Sequence, residues 1–251
     1  MKSSKPKVSV IITYYKKKTY ILKTINSILN QTYKNIEVIF VYDDSNQEDL
    51  KYIKKILNKF KKKKLIINKK NLGVAKSRNK ALKYCKGSFI AFIDADDLWK
   101  KIKLEFQINY MLKNNVNFSC TSFDVIDEKD KIIRSRKVPK NASYKILIKS
   151  NFIGLSTVIC KNDIYSKLKF PNLNTQEDFA LWLSILRSGV KLNTIRKNLS
   201  SWRKTQNSLS SNTLQKLKDA FKLFYCYEKK NFILSIFSVI VISYNKILKN
   251  I

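Results

Sequence analysis

Acidic residues are scarce in this 251-residue chain, which carries 18 aspartates and glutamates against 51 lysines and arginines, so their placement is informative. Seven of them fall in three short clusters: Asp43-Asp44, Asp94-Ala95-Asp96-Asp97 and Glu177-Asp178. Crowded like charges repel and invite a cation. Carboxylate oxygens suit Mg2+ or Mn2+, which keep part of their shell for substrate phosphates. In Phe92-Ile93-Asp94-Ala95-Asp96-Asp97, strand alternation puts Asp94 and Asp96 on the same side. That pair can hold one hard cation and a ribose at once. A cation there neutralises charge developing on a nucleoside-diphosphate leaving group. Asp97 equally suits the N-cap of a following helix. Asp43-Asp44 can accept hydrogen bonds from a base or ribose edge, or close an ordinary turn with Ser45 and Asn46. Glu177-Asp178 precedes Phe179, Leu181, Trp182 and Ile185, and so sits in the first turn of a helix. There the pair complements the helix dipole or supplies a general base. The chain has no histidine, which excludes Ser-His-Asp triads and histidine zinc sites and leaves a carboxylate as the natural proton acceptor.

The elements that must position these groups follow from the apolar pattern. Val8–Ile12 and Ile36–Val41 are continuous apolar runs expected of parallel strands buried on both faces, and Leu65–Ile67 and Phe89–Ile93 continue the series. Between them, helical stripes run through Ile21, Ile25 and Ile28, through Leu50, Ile53 and Leu57, and from Val74 to Cys85, the last stopped by Gly87 as a cap. This alternation predicts an α/β fold with a Rossmann-like, mostly parallel sheet flanked by helices. Two acidic clusters follow directly on predicted strands, where open α/β sheets bind ligands. In the second half, helices are expected over Lys100–Leu112, Glu177–Arg187 (capped by Gly189) and Thr213–Glu228. Strands are expected at Val116–Phe123, Lys131–Val138 and Thr157–Cys160.

Composition narrows the class further. The net charge of +33 favours anionic partners, although a genome rich in lysine codons accounts for part of such an excess. The lysines are spread over almost every helix rather than clustered with aromatics, so nucleic acid is not an expected partner. The four cysteines have no metal-binding or CxxC spacing and lie in apolar stretches, which predicts buried reduced thiols and a cytoplasmic setting. Phe232–Tyr244 is nearly uncharged but too short to span a bilayer, which needs ~20 residues. It reads as a helix on the membrane surface or as a tail covering the core.

Taken together, residues 7 to 210 resemble glycosyltransferase family 2, with the GT-A fold. The likeness rests on Val8–Ile12, Ser27–Tyr33, Asp43-Asp44-Ser45, Asn71–Asn79, Phe92–Trp99, Glu177–Leu183, and Arg203 with Asn207–Ser210. The resemblance implies a GT-A domain over residues 1–210. About 1–105 would bind the nucleotide and about 106–210 the acceptor; outside the resemblance, the apolar stretch Phe232–Tyr244 gives 211–251 as a helical, membrane-associated segment. The resemblance further implies a metal-dependent inverting transfer from a nucleotide-sugar donor to an acceptor hydroxyl, and the basic surface and the Phe232–Tyr244 tail point to a glycan or lipid-linked acceptor of surface polysaccharide synthesis at the inner face of the cell membrane. Thr13, Tyr15, Asp43, Asp44, Arg78 and Asp94 would contact the donor. Asp96 and Asp94 would hold Mn2+ or Mg2+, and Asp178, less readily Glu177, would be the base. Trp99 and Trp182 are better placed for core packing than for the acceptor cleft.

Two departures stand out. Where the family often has Pro and Tyr-Asn, the chain reads Thr13-Tyr14-Tyr15-Lys16, and where it often has a histidine two residues after the arginine, the chain has Thr205. Arg203 or Lys204 could replace that histidine's charge. A degenerate basic protein binding membrane or nucleic acid is the alternative to an enzyme. A nucleotidylyltransferase is disfavoured because Thr13–Thr19 contains no glycine.

Overall fold

A computed structural model describes residues 5–166, 169–205 and 212–248. The first half is a repeated strand–helix alternation: β1 (Val8–Tyr14), α1 (Lys18–Leu29), β2 (Ile36–Tyr42), α2 (Gln47–Leu57), β3 (Lys63–Ile67), α3 (Val74–Leu82) and β4 (Phe89–Asp94). The short β5 (Leu98–Trp99) and α4 (Lys103–Lys113) lead into β6 (Phe118–Ile126), β7 (Ile132–Arg136), α5 (Tyr144–Leu147), β8 (Ile159–Lys161) and α6 (Asn162–Ser166). The chain ends with α7 (Glu177–Arg187), β9 (Leu192–Arg203), α8 (Thr213–Lys222) with a π-turn at Leu223–Tyr227, and α9 (Phe232–Leu248).

Among the described residues the strands form one sheet in the order β3-β2-β1-β4-β8-β6-β9-β5, with β7 paired to β6. β1 to β4 are parallel, as their uninterrupted apolar runs require. Beyond β4 the sheet is mixed: β8 is antiparallel to both β4 and β6, whereas β9 runs parallel to β6. Strand alternation sorts the core into two layers. Ile11, Ile39, Val41, Ile90 and Phe92 face α3 and α7. Val10, Ile12, Val38, Phe40, Ala91 and Ile93 face α1, α2 and α4.

The register sets Thr13 beside both Val41 and Asp94, so β1, β2 and β4 end together at one edge. The strand order reverses between β1 and β4, which opens a crevice at that edge. Gly189 adopts the left-handed conformation expected after α7.

Three expectations are corrected. Helix α3 stops at Leu82 with Lys83 as its cap, not at Gly87. Gly87 is needed instead where the chain passes β1, since a Cβ there would meet the backbone of Ser9 at 2.6 Å and of Lys7 at 2.7 Å. The twelve-residue β9 was not expected as a strand. The cysteines form no disulfide, but Cys226 is exposed and Cys85, in the loop after α3, is only partly buried. The segment Asn207–Ser210 lies outside the described residues.

Gly87→Ala should lower stability by about 1–3 kcal/mol, read as a fall in the urea midpoint, because both obstructing atoms are main chain and cannot rotate aside.

Candidate active site

Strand β4 ends at Asp94, and Ala95-Asp96 turns away from it, so Asp94 and Asp96 are placed by a turn rather than by strand alternation. What fixes the turn is Asp97, which is buried and caps no helix. Its carboxylate accepts from the Arg203 backbone N–H at 2.9 Å and from the Ser156 hydroxyl at 2.6 Å. Arg203 closes the same knot: its Nε donates to the Asp96 carbonyl at 2.8 Å, and its guanidinium pairs with Asp130 at 2.5 Å and lies over Tyr20. Arg203 is fully buried in these contacts and so is not available to replace the missing histidine.

Arg78 is also buried, which removes any reading of it as a surface cation. It leaves α3 to pair with Asp94 at the end of β4 (2.7 Å) and, by a short contact, with Glu177 at the start of α7. Burial works against its charge, but Asp94, Glu177 and Asp178 outweigh burial and raise its pKa. Asp178 lies beside this pair, and its Oδ1 accepts the Phe179 N–H at 2.7 Å. Burial, only partly offset by Arg78, pushes the Asp178 carboxyl up to about 6 and that of Glu177 up to about 7. The entry to α7 is strained, since Gln176 is left-handed (φ 61). Helix α8 holds it: Asp219 accepts from the Thr175 N–H (2.8 Å) and hydroxyl (2.9 Å), and the Gln176 amide donates to the Lys216 carbonyl.

The loop after β1 ties the remaining clusters together. The Lys16 N–H donates to Asp44 at 2.9 Å, and the adjacent Lys17 ammonium pairs with Asp96 at 2.7 Å and reaches the Thr205 hydroxyl at 3.3 Å. Asp44, Asp96, Asp94, Arg78, Glu177 and Asp178 therefore share one edge of the sheet. Asp43 is buried and accepts from Asn68 (2.7 Å), the Leu72 N–H (2.8 Å) and the Gly73 N–H (3.0 Å), so it shapes the loop into α3. Thr13 is the last residue but one of β1, Tyr15 just beyond the strand is exposed, and Trp99 and Trp182 are core residues.

The glycosyl transferase family 2 model matches residues 9–171. The putative teichuronic acid biosynthesis glycosyltransferase TuaG of Bacillus subtilis is 34% identical, over 91% of this chain and 90% of that protein. The chain belongs to glycosyltransferase family 2. It is also 37% identical to the UDP-Glc:alpha-D-GlcNAc-diphosphoundecaprenol beta-1,3-glucosyltransferase WfgD of Escherichia coli, over 84% of this chain and 82% of that one. Among solved structures, S. aureus TarS 1-349 in complex with UDP-GlcNAc superposes with a TM-score of 0.74 at 20% identity, covering 91% of this chain and 69% of that one. The mannosyltransferase PcManGT from Pyrobaculum calidifontis, in complex with GDP-Man and Mn2+, gives 0.70 at 15% identity, covering 91% and 66%. These two likenesses establish the GT-A fold of this glycosyltransferase.

Whether the transferase suits a divalent cation can be tested on its own side chains. Among the described residues no three ligating groups form a ready-made cage. Mg2+ and Mn2+ do not require one, because one or two carboxylates plus substrate phosphates suffice. The Asp96 carboxyl is pushed up by burial and by Asp94, and a cation already sits on it, the Lys17 ammonium. Asp94 and Asp96 are thus oxygen donors in a site that attracts positive charge, and they fit the ion. Sequence reasoning missed Lys17, Ser156 and Asp219. One basic residue among 51, a serine and an acid on a distant helix carry no local signal.

Arg78→Met should cost the glycosyltransferase about 3 kcal/mol at pH 8 by stranding buried Glu177. Loss of the cation raises the Glu177 pKa further above its unfolded value. A raised carboxyl favours the folded state at low pH, so the deficit should shrink in denaturation series run towards pH 5.

Proposed function

We propose that this glycosyltransferase moves a sugar from a nucleoside-diphosphate donor to an acceptor hydroxyl with inversion at the anomeric carbon. The observation that carries the reading is Arg78, which joins the donor-side Asp94 to Glu177 and Asp178 within one buried charge network. Asp43 and Asp44 frame the nucleoside, with Thr13 and Tyr15 lining the crevice beside them. Asp96 and Asp94 would hold Mn2+ or Mg2+, and the charge of the ion would stabilise the departing diphosphate. Arg78 fixes Asp94 and draws the Glu177 carboxyl down against the effect of burial, while Lys17 would be free to turn from Asp96 towards the phosphates. Asp178 accepts the acceptor's hydroxyl proton as its oxygen bonds to the anomeric carbon and the bond from that carbon to the diphosphate oxygen breaks. No covalent enzyme intermediate forms.

Residues 1–105 serve the donor, residues 106–210 the acceptor, and 211–251 are a helical, membrane-associated segment. Relatives named for teichuronic acid synthesis and for a diphosphoundecaprenol-linked acceptor support a role in surface glycan assembly, with a lipid-linked glycan as acceptor at the inner face of the membrane. Structural neighbours holding UDP-GlcNAc or GDP-Man support a nucleotide-sugar donor. Among the described residues no helix is long and apolar enough to cross a membrane.

Asp178→Asn should reduce turnover about 10²–10⁴-fold with donor affinity unchanged, measured by nucleoside-diphosphate release and by calorimetry. The base acts as a carboxylate, so wild-type turnover should fall with unit slope as pH drops below about 6, and the residual rate of the variant should lack this limb. If Asp178→Asn turned over at the wild-type rate, its assignment as base would be wrong.

Asp96→Ala should abolish metal-dependent turnover. Lys17→Met should act in two opposite directions. Mn2+ binding to the free enzyme should tighten about three- to fivefold, because Asp96 loses its competing cation, whereas the nucleoside diphosphate should bind more weakly. Titrations of each ligand alone separate the two effects.

A further inference from the structure

Helix α9 is oriented the opposite way from an ordinary surface helix. Its one buried side chain is Ser235, whose hydroxyl bonds back to the Asn231 carbonyl. The same side carries Ser238, which accepts from the Lys230 ammonium at 2.8 Å, and Asn245, which donates to the Lys149 carbonyl at 2.9 Å. Val239 and Ile242 add partial contact with the core. At 3.6 residues per turn these positions share one flank, so the helix turns Ser235, Ser238 and Asn245 towards the protein together with only two apolar side chains, Val239 and Ile242.

The opposite flank is apolar and open. Ile236, Ile247, Ile240, Ile233, Tyr244 and Phe237 follow one another around an arc of about 100° and are 42–76% exposed. No charged residue falls within that arc, and the single charge of the helix, Lys246, points elsewhere. Such a continuous patch on a surface marks a contact site.

The charge around the patch selects the occupant. Lys229 and Lys230 precede the helix, with Glu228 beside Lys230, and Lys216 of α8 faces Lys246, so these two ammonium groups repel. A second copy would bring another +33 against this one. An anionic surface relieves the repulsion and accepts the apolar arc together. The helix is about 25 Å long at 1.5 Å per residue, short of the ~30 Å hydrocarbon thickness, so it lies along a bilayer instead of crossing it.

We propose that α9 is a docking helix that lies in the surface of an anionic lipid bilayer, with its Ile233–Ile247 arc among the acyl chains and the neighbouring lysines on the headgroups. This goes beyond the transfer reaction and stands independently of the catalytic assignments.

The test is co-sedimentation of the full chain with vesicles of phosphatidylcholine alone and of phosphatidylcholine mixed with phosphatidylglycerol. The wild type should bind the mixed vesicles, bind the neutral ones far less, and be released by salt. The neutral double substitution Phe237→Asn with Ile240→Asn should weaken binding to the mixed vesicles about tenfold or more. It should keep the wild-type melting temperature and turn over donor with a water-soluble acceptor at the wild-type rate. The proposal is overturned if the wild type stays in the supernatant with phosphatidylglycerol, or if the double variant binds as well as the wild type. It is also overturned if analytical ultracentrifugation shows a dimer that the same substitutions dissociate, which would assign the arc to a second copy. A failed Asp178→Asn test would leave the docking result untouched, and a failed vesicle test would leave the chemistry untouched.

Discussion

Several carboxylates at one sheet edge, largely withdrawn from water, are mutually repulsive, and much of the molecule is arranged around that repulsion. Asp94, Asp96, Asp97, Glu177 and Asp178 come from the end of β4, the turn after it and the start of α7. Burial raises the pKa values of Asp96, Asp97, Glu177 and Asp178. The fold answers with cations fixed at defined points: Arg78 between Asp94 and Glu177, and Lys17 on Asp96. Asp97 has no such partner and is satisfied by neutral donors, a serine hydroxyl and a backbone N–H. Of the two cations, Arg78 is buried and committed, while Lys17 retains some exposure and stands at the crevice.

This division explains which parts of the site were legible in the sequence. Strands β1, β2 and β4 are long apolar runs because both of their faces are covered, and their ends necessarily bring Asp43-Asp44 and Asp94–Asp97 to one edge. The start of α7 was legible for the same reason, from the stripe beginning at Phe179. The roles within the clusters were not. Nothing local distinguishes Asp43, which shapes a loop, from Asp44 beside it, or Asp97, which fastens the turn, from Asp96. Those distinctions depend on Asn68, Ser156 and Arg203, which arrive from elsewhere in the fold.

Strand β9 shows the same limit in secondary structure. Leu192–Arg203 is polar or charged at every position except Leu192, Ile195, Leu199 and Trp202, with neither a helical stripe nor clean alternation. Its register against β6 slips twice, so the faces exchange along its length and the period that would identify a strand is lost. Pairing with β6 on one side and β5 on the other supplies what the sequence pattern lacks. Gly87 is a similar case, because its reason is a neighbouring chain and not its own turn.

Helix α8 touches α9 on one side and, through Asp219 and the Lys216 carbonyl, pins Thr175 and Gln176 on the other. The exposed apolar face of α9 and the start of α7 are therefore both held by α8. Whatever plane grips α9 fixes the tilt of the whole body and the height at which the crevice stands above it. Acceptors rooted in the same plane would be sorted by reach as well as by recognition, in the manner of a gauge: too short a stalk never arrives at the crevice, and too long a one bows past it.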